Sequence, residues 1–585
     1  MAQLTIQQAF DLAVQHHQAG RLQEAERIYR QVIVHQPRHV DALHNLGVIA
    51  YQIGRKDDAV DLIRQALKLN PSLPNAHKNL GIALKDTRQL DEAIAAYRQG
   101  AALNPDTPDA HFDLGNILME RGQNDEAVGA YRRAIVLRPD YADAHNNLGN
   151  ALKGKGQIDS AILAYRQAVV FNRSDPDIHS NLGNALAEKG NLEEAIAAWR
   201  QAIALAPDRP EALFNFGNMM KDRGQLDEAI AAYRQAIALR PDYADAHNNL
   251  GTVLKDKGDL IEAIACYQKV LAINPGLPEA HGNLAQTLLV RGEFERGWEE
   301  FEWRWKCKDR PSPPRNFAQP EWDGSPLEGR TLLLHTEQGF GDNLQFIRYL
   351  PLVAQRGGEI IVECYAELQR FFQQLNGRCR IVARGQPLPN FDVHLPLLSL
   401  PRLFATNLTN IPKTIPYLHA DAEETGRWQQ RLAGYSAFTK IGLAWAGSPT
   451  HQNDRNRSIL FAKLAPLIRM PGARFFSLQK GNQAARELID WSAELKDFAD
   501  TAALIANLDL VIAVDTAVVH LAGAMGKPVW TLLPFAADWR WLLEREDSPW
   551  YPSMRLFRQP ALGDWDSVIK RVADELCRNP FARRL

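Results

Sequence analysis

The stretch LDEAIAAYRQAIALRPDYADAHNNLG, residues 226–251, decides the fold of the amino-terminal half. It places Ala229 four residues before Tyr233, then Pro241, and then the pair Leu250-Gly251. The same residue types recur with a period of 34 residues, which the prolines mark most plainly, with Arg173 as the one interruption. Small residues let two helices approach closely, and the aromatic ring fills the space beside them. The period therefore predicts stacked helical hairpins. The prolines are Pro37, Pro71, Pro105, Pro139, Pro207, Pro241 and Pro275.

About eight such repeats occupy residues 6–277, and a degenerate capping repeat follows over 278–308, where Ala285 and Gly297 replace the usual glycine and alanine. The pattern is similar to that of the tetratricopeptide (TPR) family. This resemblance implies an α-solenoid, a TPR superhelix over residues 1–308, whose concave groove binds an extended peptide or another protein.

A histidine recurs at one position of the repeat. Equivalent helices of neighbouring repeats lie roughly 10 Å apart, too far for two imidazoles to share a metal ion easily. We expect these side chains to pack between helices. They are His77, His111, His145, His179, His247 and His281.

An asparagine recurs just before the Leu-Gly pair or its variant, with Asp113 as the exception. Asparagine is a mediocre helix former, and its amide offers both a donor and an acceptor to a peptide backbone. The ladder resembles the superhelix of protein O-GlcNAc transferases, where asparagines at this position hold the acceptor polypeptide. The alternative, that asparagine belongs to the packing of the repeat, stays open. The resemblance implies that the acceptor-binding residues are Asn147, Asn181, Asn215, Asn249 and Asn283.

Composition excludes several classes of protein. The chain is 45% hydrophobic and 23% charged with a net charge of -2, so it lacks the composition of a disordered protein. It also lacks the basic field expected of a protein that binds nucleic acid through counterion release. Its opening, MAQLTIQQAFDLAVQ, has no signal-peptide pattern, and no stretch approaches the ~20 apolar residues that span a membrane. We expect a cytoplasmic protein. The 5 cysteines are scattered and predict neither disulfides nor a zinc site.

The repeat ends near residue 308, and 309–329 is predicted to be a linker or docking strap because it is rich in proline and polar residues. Beyond it, short apolar runs alternate with helical stretches, which is typical of parallel α/β structure. The runs form two groups, before and after 410–438, and predict two Rossmann-like lobes over 330–425 and 426–585. The predicted strands are Thr331–Leu334, Glu359–Val362, Phe391–Leu395, Ile441–Trp445, Arg474–Leu478, Leu510–Val514 and Val529–Leu533.

Three loops follow strands, where open α/β sheets bind ligands. In the first, Gly339 and Gly341 would let the backbone approach a ligand closely, and Asp342 would direct its carboxylate into a cleft between the lobes. The alternative for Asp342 is a plain helix N-cap.

The second loop follows the strand that ends near Trp445. Its glycine and serine would offer donors to a phosphate, and its arginines and a nearby lysine would neutralise the charge. A solvated basic loop is the alternative. The candidate donor-binding residues are Gly447, Ser448, Arg455, Arg457, Gln479 and Lys480.

The third loop runs from Asp515 through Thr516 and Ala517 into a helix that carries His520. Free N–H groups and the positive end of the helix dipole at this turn would face a diphosphate, and His520 would donate to the same oxygens. A histidine buried in the core is the alternative for His520.

Together the three loops, in this order, resemble glycosyltransferase family 9, the heptosyltransferase-like enzymes of GT-B fold. The resemblance covers residues 330–575 and implies that Asp342 is the general base. It implies further that Asp515, Thr516 and His520 hold the nucleoside diphosphate of the donor, with Ala517 standing where the family usually has glycine.

No metal or cofactor is expected apart from the nucleotide sugar itself. The two Asp-x-Asp pairs, Asp175 with Asp177 and Asp564 with Asp566, lie in a repeat and before a terminal helix, so neither is typical of a metal site. A GT-B enzyme can stabilise the leaving diphosphate with helix amides and cations instead.

The sequence thus predicts a metal-independent hexosyl- or heptosyltransferase that moves a sugar from a nucleoside diphosphate to an acceptor hydroxyl. The expected acceptor is a protein held in the groove of the repeats. Two alternatives stay open: an enzyme acting on a lipid-linked or polysaccharide acceptor, and a non-catalytic TPR scaffold whose transferase half has decayed.

Overall fold

The chain forms two compact units, Met1–Pro241 and Asp242–Leu585, in a computed structural model. Within the part of the chain that the structure describes, no helix is long and apolar enough to cross a membrane. The residues that the structure describes are 5–308, 315–375, 377–449, 453–480 and 487–578.

The first unit consists of helical hairpins, each a pair of helices about 13–14 residues long. Several first helices begin at a proline, whose fixed φ suits the first helical position, as Pro108 does in one hairpin. Gly122, with φ 79°, then turns the chain into the second helix. The helices are α1 (Ile6–Gln18), α2 (Leu22–His35), α3 (Val40–Gln52), α4 (Lys56–Leu69), α5 (Pro74–Asp86), α6 (Leu90–Leu103), α7 (Pro108–Glu120), α8 (Asn124–Leu137), α9 (Ala142–Gly154), α10 (Ile158–Phe171), α11 (Pro176–Lys189), α12 (Leu192–Leu205), α13 (Pro210–Asp222) and α14 (Leu226–Leu239).

The glycine of most Leu-Gly pairs makes room for the aromatic residue of the same hairpin, while Gly47 makes room for Ile63. A Cβ at Gly149 would lie 2.5 Å from the ring of Tyr165, which is fully buried. The Tyr165 hydroxyl donates to Asn150 Oδ1 at 2.8 Å. The recurrence of these residue types therefore follows from packing inside the hairpin.

The second unit begins with two more hairpins and continues into two parallel sheets, which confirms the predicted solenoid followed by α/β structure. The hairpin helices are α15 (Ala244–Lys257), α16 (Leu260–Ile273), α17 (Pro278–Val290) and α18 (Phe294–Phe301).

The first sheet has the strand order β3-β2-β1-β4 and the second β6-β5-β7-β8-β9, with all neighbours parallel. The strands are β1 (Thr331–His335), β2 (Glu359–Cys364), β3 (Arg380–Ala383), β4 (Val393–Pro396), β5 (Thr439–Ala444), β6 (Ala473–Ser477), β7 (Leu510–Val514), β8 (Val529–Leu533) and β9 (Met554–Arg558). The remaining helices are α19 (Phe340–Phe346), α20 (Leu350–Ala354), α21 (Ala366–Phe372), α22 (Leu400–Leu403), α23 (Ala422–Leu432), α24 (Asp454–Arg457), α25 (Ala465–Ile468), α26 (Phe498–Ala506), α27 (Ala517–Ala524) and α28 (Trp565–Arg578).

Each predicted strand is present with its ends shifted by two residues or fewer, whereas β3 and β9 were not predicted. Residues 315–329 dock along the first sheet rather than span a gap. Trp322 is buried and its backbone N–H donates to the carbonyl of His394 in β4 at 2.8 Å, while Leu327 is fully buried. These contacts favour the docking strap over the linker for the described residues 315–329.

The last hairpin, α17 and α18, contributes to the core of the second unit. Trp298 of α18 is almost fully buried and packs edge-on to Trp539, with ring centroids 5.2 Å apart. Its indole N–H donates to the carbonyl of Thr406 at 2.9 Å, and Phe294 contacts the ring of Trp550. The degenerate repeat therefore covers the two sheets' connecting segments with aromatic side chains.

Candidate functional site

Asp342 lies at the third position of α19, directly after β1. The helix begins at Phe340 with Gly339 as its N-cap, so Asp342 is not itself the N-cap. Its Oδ2 accepts a hydrogen bond from the Gly339 N–H at 2.8 Å, which is the part a third-position acid takes in a capping box. One carboxylate oxygen of Asp342 therefore serves the helix cap, and a role in the site would use the other oxygen.

The other oxygen of Asp342, Oδ1, pairs with Arg540, which lies in the short turn Trp539–Trp541 after β8. Arg540 also donates to Asp538 Oδ1 at 2.8 Å and to Gln345 Oε1 at 2.5 Å. Burial raises the pKa of Asp342 above the ordinary aspartate value, and Arg540 opposes that rise. Arg540 was missed by sequence reasoning, because it belongs to none of the three loops.

Gly341 allows α19 to pack closely on α27. A Cβ at Gly341 would lie 2.8 Å from Cδ2 of His520 and 3.5 Å from Cα of Ala517, so the missing side chain makes room for α27. Its predicted contact with the donor stays a prediction. Gly339 faces its own helix, since a Cβ there would lie 3.2 Å from Asp342 Oδ2. The contact nevertheless brings the first and third loops together.

His520 is buried inside this contact. Its Nδ1 lies 3.0 Å from the Tyr551 hydroxyl, and its ring stacks on Trp541 at an interplanar angle of 24°. Burial, with Arg540 and Arg348 nearby, lowers the pKa of His520 well below its usual value. The imidazole is therefore enclosed by protein side chains in this structure, and its predicted contact with the donor stays a prediction.

Asp515 and Thr516 stand at the start of α27. Asp515 Oδ2 accepts from the Trp541 indole N–H at 2.9 Å, and Oδ1 lies 4.0 Å from Nε2 of His520. Burial and the neighbouring Asp538 raise the pKa of Asp515 to about 6. Thr516 is the N-cap of α27, and its buried hydroxyl has no hydrogen-bond partner among the residues that the structure describes.

The second loop is tied to the third by Arg457. Its Nη1 donates to the Asp515 carbonyl at 3.0 Å, and its Nε donates to Asp454 Oδ1 at 3.3 Å. The Gly447 N–H donates to the Ser458 hydroxyl at 3.0 Å, and a Cβ on Gly447 would overlap Arg457 and Asp454. The Gly447 amide is therefore used within the second loop, and its predicted role in binding the donor stays a prediction.

Gln479 anchors the same loop. Its buried Oε1 accepts from the backbone N–H groups of Trp445 and Ala446 at 3.2 and 2.9 Å, so it holds the segment that follows β5. Lys480 is exposed and donates to the carbonyl of Lys496 at 3.4 Å. Ser448 and Arg455 also lie at the surface.

The asparagine ladder connects successive hairpins. For four of the five asparagines the amide nitrogen donates to an asparagine of the preceding hairpin, and a role in holding an acceptor peptide stays a prediction. In the first unit Asn147 donates to Asn116 at 2.9 Å, Asn181 to Asn146 at 3.0 Å and Asn215 to Asn184 at 3.2 Å; in the second unit Asn283 donates to Asn248 at 3.0 Å, and Asn249 accepts from Asn248 at 3.4 Å.

The histidine ladder packs as predicted. Nε2 of His145 lies 2.9 Å from the carbonyl oxygen of Pro139, six residues earlier, and the same contact recurs at His77, His111, His179 and His281. Each imidazole therefore ties its helix to the loop before it.

The Asp-x-Asp pairs have structural partners. Asp175 caps α11 by accepting from the Asp177 N–H at 2.8 Å, and Asp566 binds Lys463 at 2.7 Å. Over the described ranges, no group of three or more His, Cys, Asp or Glu side chains is placed to hold a metal ion.

Comparison with protein families agrees with this division. Residues 217–258 match the TPR repeat, 244–277 match the tetratricopeptide repeat, and 2–213 match the cilia and flagella-associated protein 70 C-terminal domain. Residues 493–537 match glycosyltransferase family 9 (heptosyltransferase), a segment that includes the third loop. The chain carries TPR repeats in its amino-terminal half and a glycosyltransferase family 9 segment near its carboxyl end.

Among characterised proteins, the chain is 29% identical over 319 residues to protein FlbA of Caulobacter vibrioides. The match covers 49% of this chain and 53% of FlbA, so the chain spans about half the length of that relative. Solved structures with similar regions include MamA, with 28% identity over 28% of this chain and 94% of that one at a TM-score of 0.27. YrrB, described as a TPR protein with an unusual peptide-binding site, has 24% identity over 32% of this chain and 95% of its own at a TM-score of 0.29.

Proposed function

We propose that this chain, which joins TPR repeats to a glycosyltransferase family 9 segment, transfers a sugar from a nucleoside diphosphate donor to an acceptor hydroxyl. One observation carries the proposal. The loop that bears Asp342 meets the turn Asp515–His520, which lies inside the family 9 segment, through the Gly341–His520 contact. Asp342 also pairs with Arg540, which follows that segment.

The donor's diphosphate would lie at the start of α27. Thr516 supplies a buried hydroxyl, the first turn of the helix supplies N–H groups, and Arg457 and Arg540 supply positive charge. We propose that these groups stabilise the leaving diphosphate without a metal ion.

Asp342 would act as the general base. The acceptor oxygen would form a bond to the anomeric carbon of the donor as the bond from that carbon to the diphosphate breaks. The diphosphate would leave with the electron pair, and Asp342 would take the proton of the acceptor hydroxyl. Burial raises the pKa of Asp342, which makes its carboxylate a stronger proton acceptor than an exposed aspartate.

The proposed acceptor is a protein, because TPR arrays bind peptides and other proteins along their stacked hairpins. Support comes from the last repeat hairpin of the second unit, whose helix α18 packs against Trp539 and Thr406 beside the sheets. A glycan acceptor is the second candidate. The description of the matching family as heptosyltransferase favours it.

The test is release of nucleoside diphosphate from UDP-, GDP- and ADP-linked sugars by the purified protein, with no acceptor, with a protein mixture and with a glycan mixture. One arm contains EDTA, which we expect to leave turnover unchanged. Stimulation by the protein mixture alone supports the protein acceptor, and stimulation by glycan alone supports the second candidate. If no donor is hydrolysed or used in any arm, the proposed function is wrong.

A further inference from the structure

Arg540 is the least expected cation of the site. It is 7% exposed, and its guanidinium lies over the Trp539 ring, 4.3 Å from the ring centroid. Its three donor nitrogens bind Asp342, Asp538 and Gln345. These bonds use three of the five N–H groups of the guanidinium, and two of the three acceptors are carboxylates that neutralise its charge.

The two acids on Arg540 are held very differently. Asp538 precedes Arg540 by two residues and caps the same turn, with its Oδ1 accepting from the Arg540 N–H at 3.0 Å. Asp342 belongs to α19, which follows β1 of the first sheet, whereas Arg540 follows β8 of the second sheet. Asp538 is thus held beside Arg540 by their shared turn. Asp342 belongs to a different helix and is the carboxylate that can separate from Arg540.

The charges around Arg540 favour its separation from Asp342 when a diphosphate binds. Asp342, Asp515 and Asp538 lie near Arg540, and Asp515 contributes to its electrostatic surroundings. A diphosphate placed at α27 beside these carboxylates needs a cation that is not already neutralised. Arg540 carries one positive charge, and separation from the Asp342 carboxylate would make that charge available to the diphosphate.

We infer that Arg540 is a diphosphate-binding residue that exchanges partners: it pairs with Asp342 when the donor is absent, and the donor's diphosphate takes its place. This inference rests on the proposed function and extends it. Release from Arg540 frees Oδ1 of Asp342 to accept the proton of the acceptor hydroxyl. Donor binding and availability of the base are thereby coupled through one side chain.

If Arg540 exchanges partners, removing the charge of Asp342 should strengthen the binding of a diphosphate. A purely structural ion pair does not predict this result. Asp342→Asn keeps an oxygen for the Gly339 N–H but removes the charge that competes with the diphosphate for Arg540. We therefore expect this variant to bind a nucleoside diphosphate more tightly than the parent, by roughly 5–150-fold, the usual range of a coupling between two sites. Arg540→Met should weaken the same binding.

The experiment is calorimetric titration of the full chain with UDP, GDP and ADP, without any sugar. Arg370→Met is the matched control, because Arg370 of α21 also pairs with carboxylates of another helix, Asp497 and Asp500 of α26. We expect this control to bind like the parent. If Arg540→Met does not fold, Asp342→Asn decides alone.

The outcomes separate the two proposals. Tighter binding by Asp342→Asn, with parent-like binding by Arg370→Met, supports the exchange. Equal or weaker binding by Asp342→Asn overturns the exchange and leaves the proposed function standing. If the parent binds none of the three diphosphates, the proposed function and the exchange are both overturned.

Discussion

Arg304, in the 3₁₀ turn that follows α18, forms a buried two-pronged ion pair with Glu337, in the loop that carries Asp342. Nη2 of Arg304 lies 2.7 Å from Oε1 and Nε lies 2.9 Å from Oε2, and the two side chains are 9% and 2% exposed. The Glu337 carbonyl in turn accepts from Asn343 of α19 at 3.1 Å. The end of the repeat segment therefore fixes the loop from which α19 begins.

The first prediction concerns this pair. Arg304→Met should destabilise the second unit by about 3–5 kcal/mol, because it leaves the Glu337 carboxylate buried without its partner. Arg304→Met/Glu337→Met should recover most of that loss, since two apolar side chains replace two buried charges. Denaturant unfolding followed by tryptophan fluorescence measures both. Equal stability of the single variant and the parent would show that the pair is not structurally important.

The second prediction concerns the contact between α19 and α27. Gly341→Ala should destabilise the second unit by about 1–3 kcal/mol and slow any turnover, because the new Cβ meets the His520 ring and pushes the two helices apart. Gly339→Ala is the matched control, since its Cβ would meet only Asp342 Oδ2 at 3.2 Å. Thermal unfolding of the two variants should differ clearly. Similar melting temperatures would contradict the close approach at Gly341.

The third prediction is a pH dependence from Asp515. Its pKa is about 6 in the folded chain against 3.8 for the ordinary group, so the folded state holds the proton more tightly. The stability contributed by this protonation is complete below about pH 4 and is lost as the pH rises through 6.

The Asp515→Asn variant has no carboxyl group at this position, so it does not lose stability as the pH rises through 6. Relative to the parent, the variant should gain stability between pH 4 and 7, by up to about 3 kcal/mol at roughly 1.4 kcal/mol per pH unit. The Trp541 indole N–H keeps an oxygen partner in the variant. Melting temperatures at pH 4.5, 6 and 7.5 measure the difference. A difference that does not change with pH would contradict the raised pKa.

The fourth prediction separates the two interpretations of the asparagine ladder. Because Asn181 donates to Asn146 in the preceding hairpin, Asn181→Ala should cost about 0.5–1.5 kcal/mol, although alanine is the better helix former. A double-mutant cycle of Asn181 and Asn146 should return a coupling of the same size.

The acceptor interpretation is tested with Asn181, Asn215, Asn249 and Asn283 changed together to alanine. If the ladder also grips a polypeptide, transfer to protein should fall while hydrolysis of the donor is unchanged. Equal transfer rates for this variant and the parent, measured below the variant's melting temperature, would assign the ladder to packing alone.

The sequence predicted the repeats well because their packing is local: the contact between Gly149 and Tyr165 repeats with a fixed period and so leaves a visible pattern. The strands with uninterrupted apolar runs were found for the same reason. β3 and β9 were missed because Arg380 and Arg558 stand at their ends and Arg555 stands within β9, which leaves short and mixed runs.

The site was predicted less completely because its decisive contacts join distant parts of the chain. Asp342 meets Arg540, which is 198 residues away, and no local motif announces that pair. The glycines were predicted as places for a ligand, whereas the Gly341 space is filled by His520 from another loop. A sequence pattern shows that a side chain is missing but not what occupies the space.

The most direct test of the account is single-turnover release of nucleoside diphosphate from the donor that the screen identifies, with Asp342→Asn beside the parent. Asparagine preserves the cap on α19 but cannot take the proton, so the account predicts that the variant folds normally, binds the donor, and turns over roughly 10²–10⁴-fold more slowly. Turnover by Asp342→Asn at the rate of the parent would contradict the account, because the proton would then be taken elsewhere.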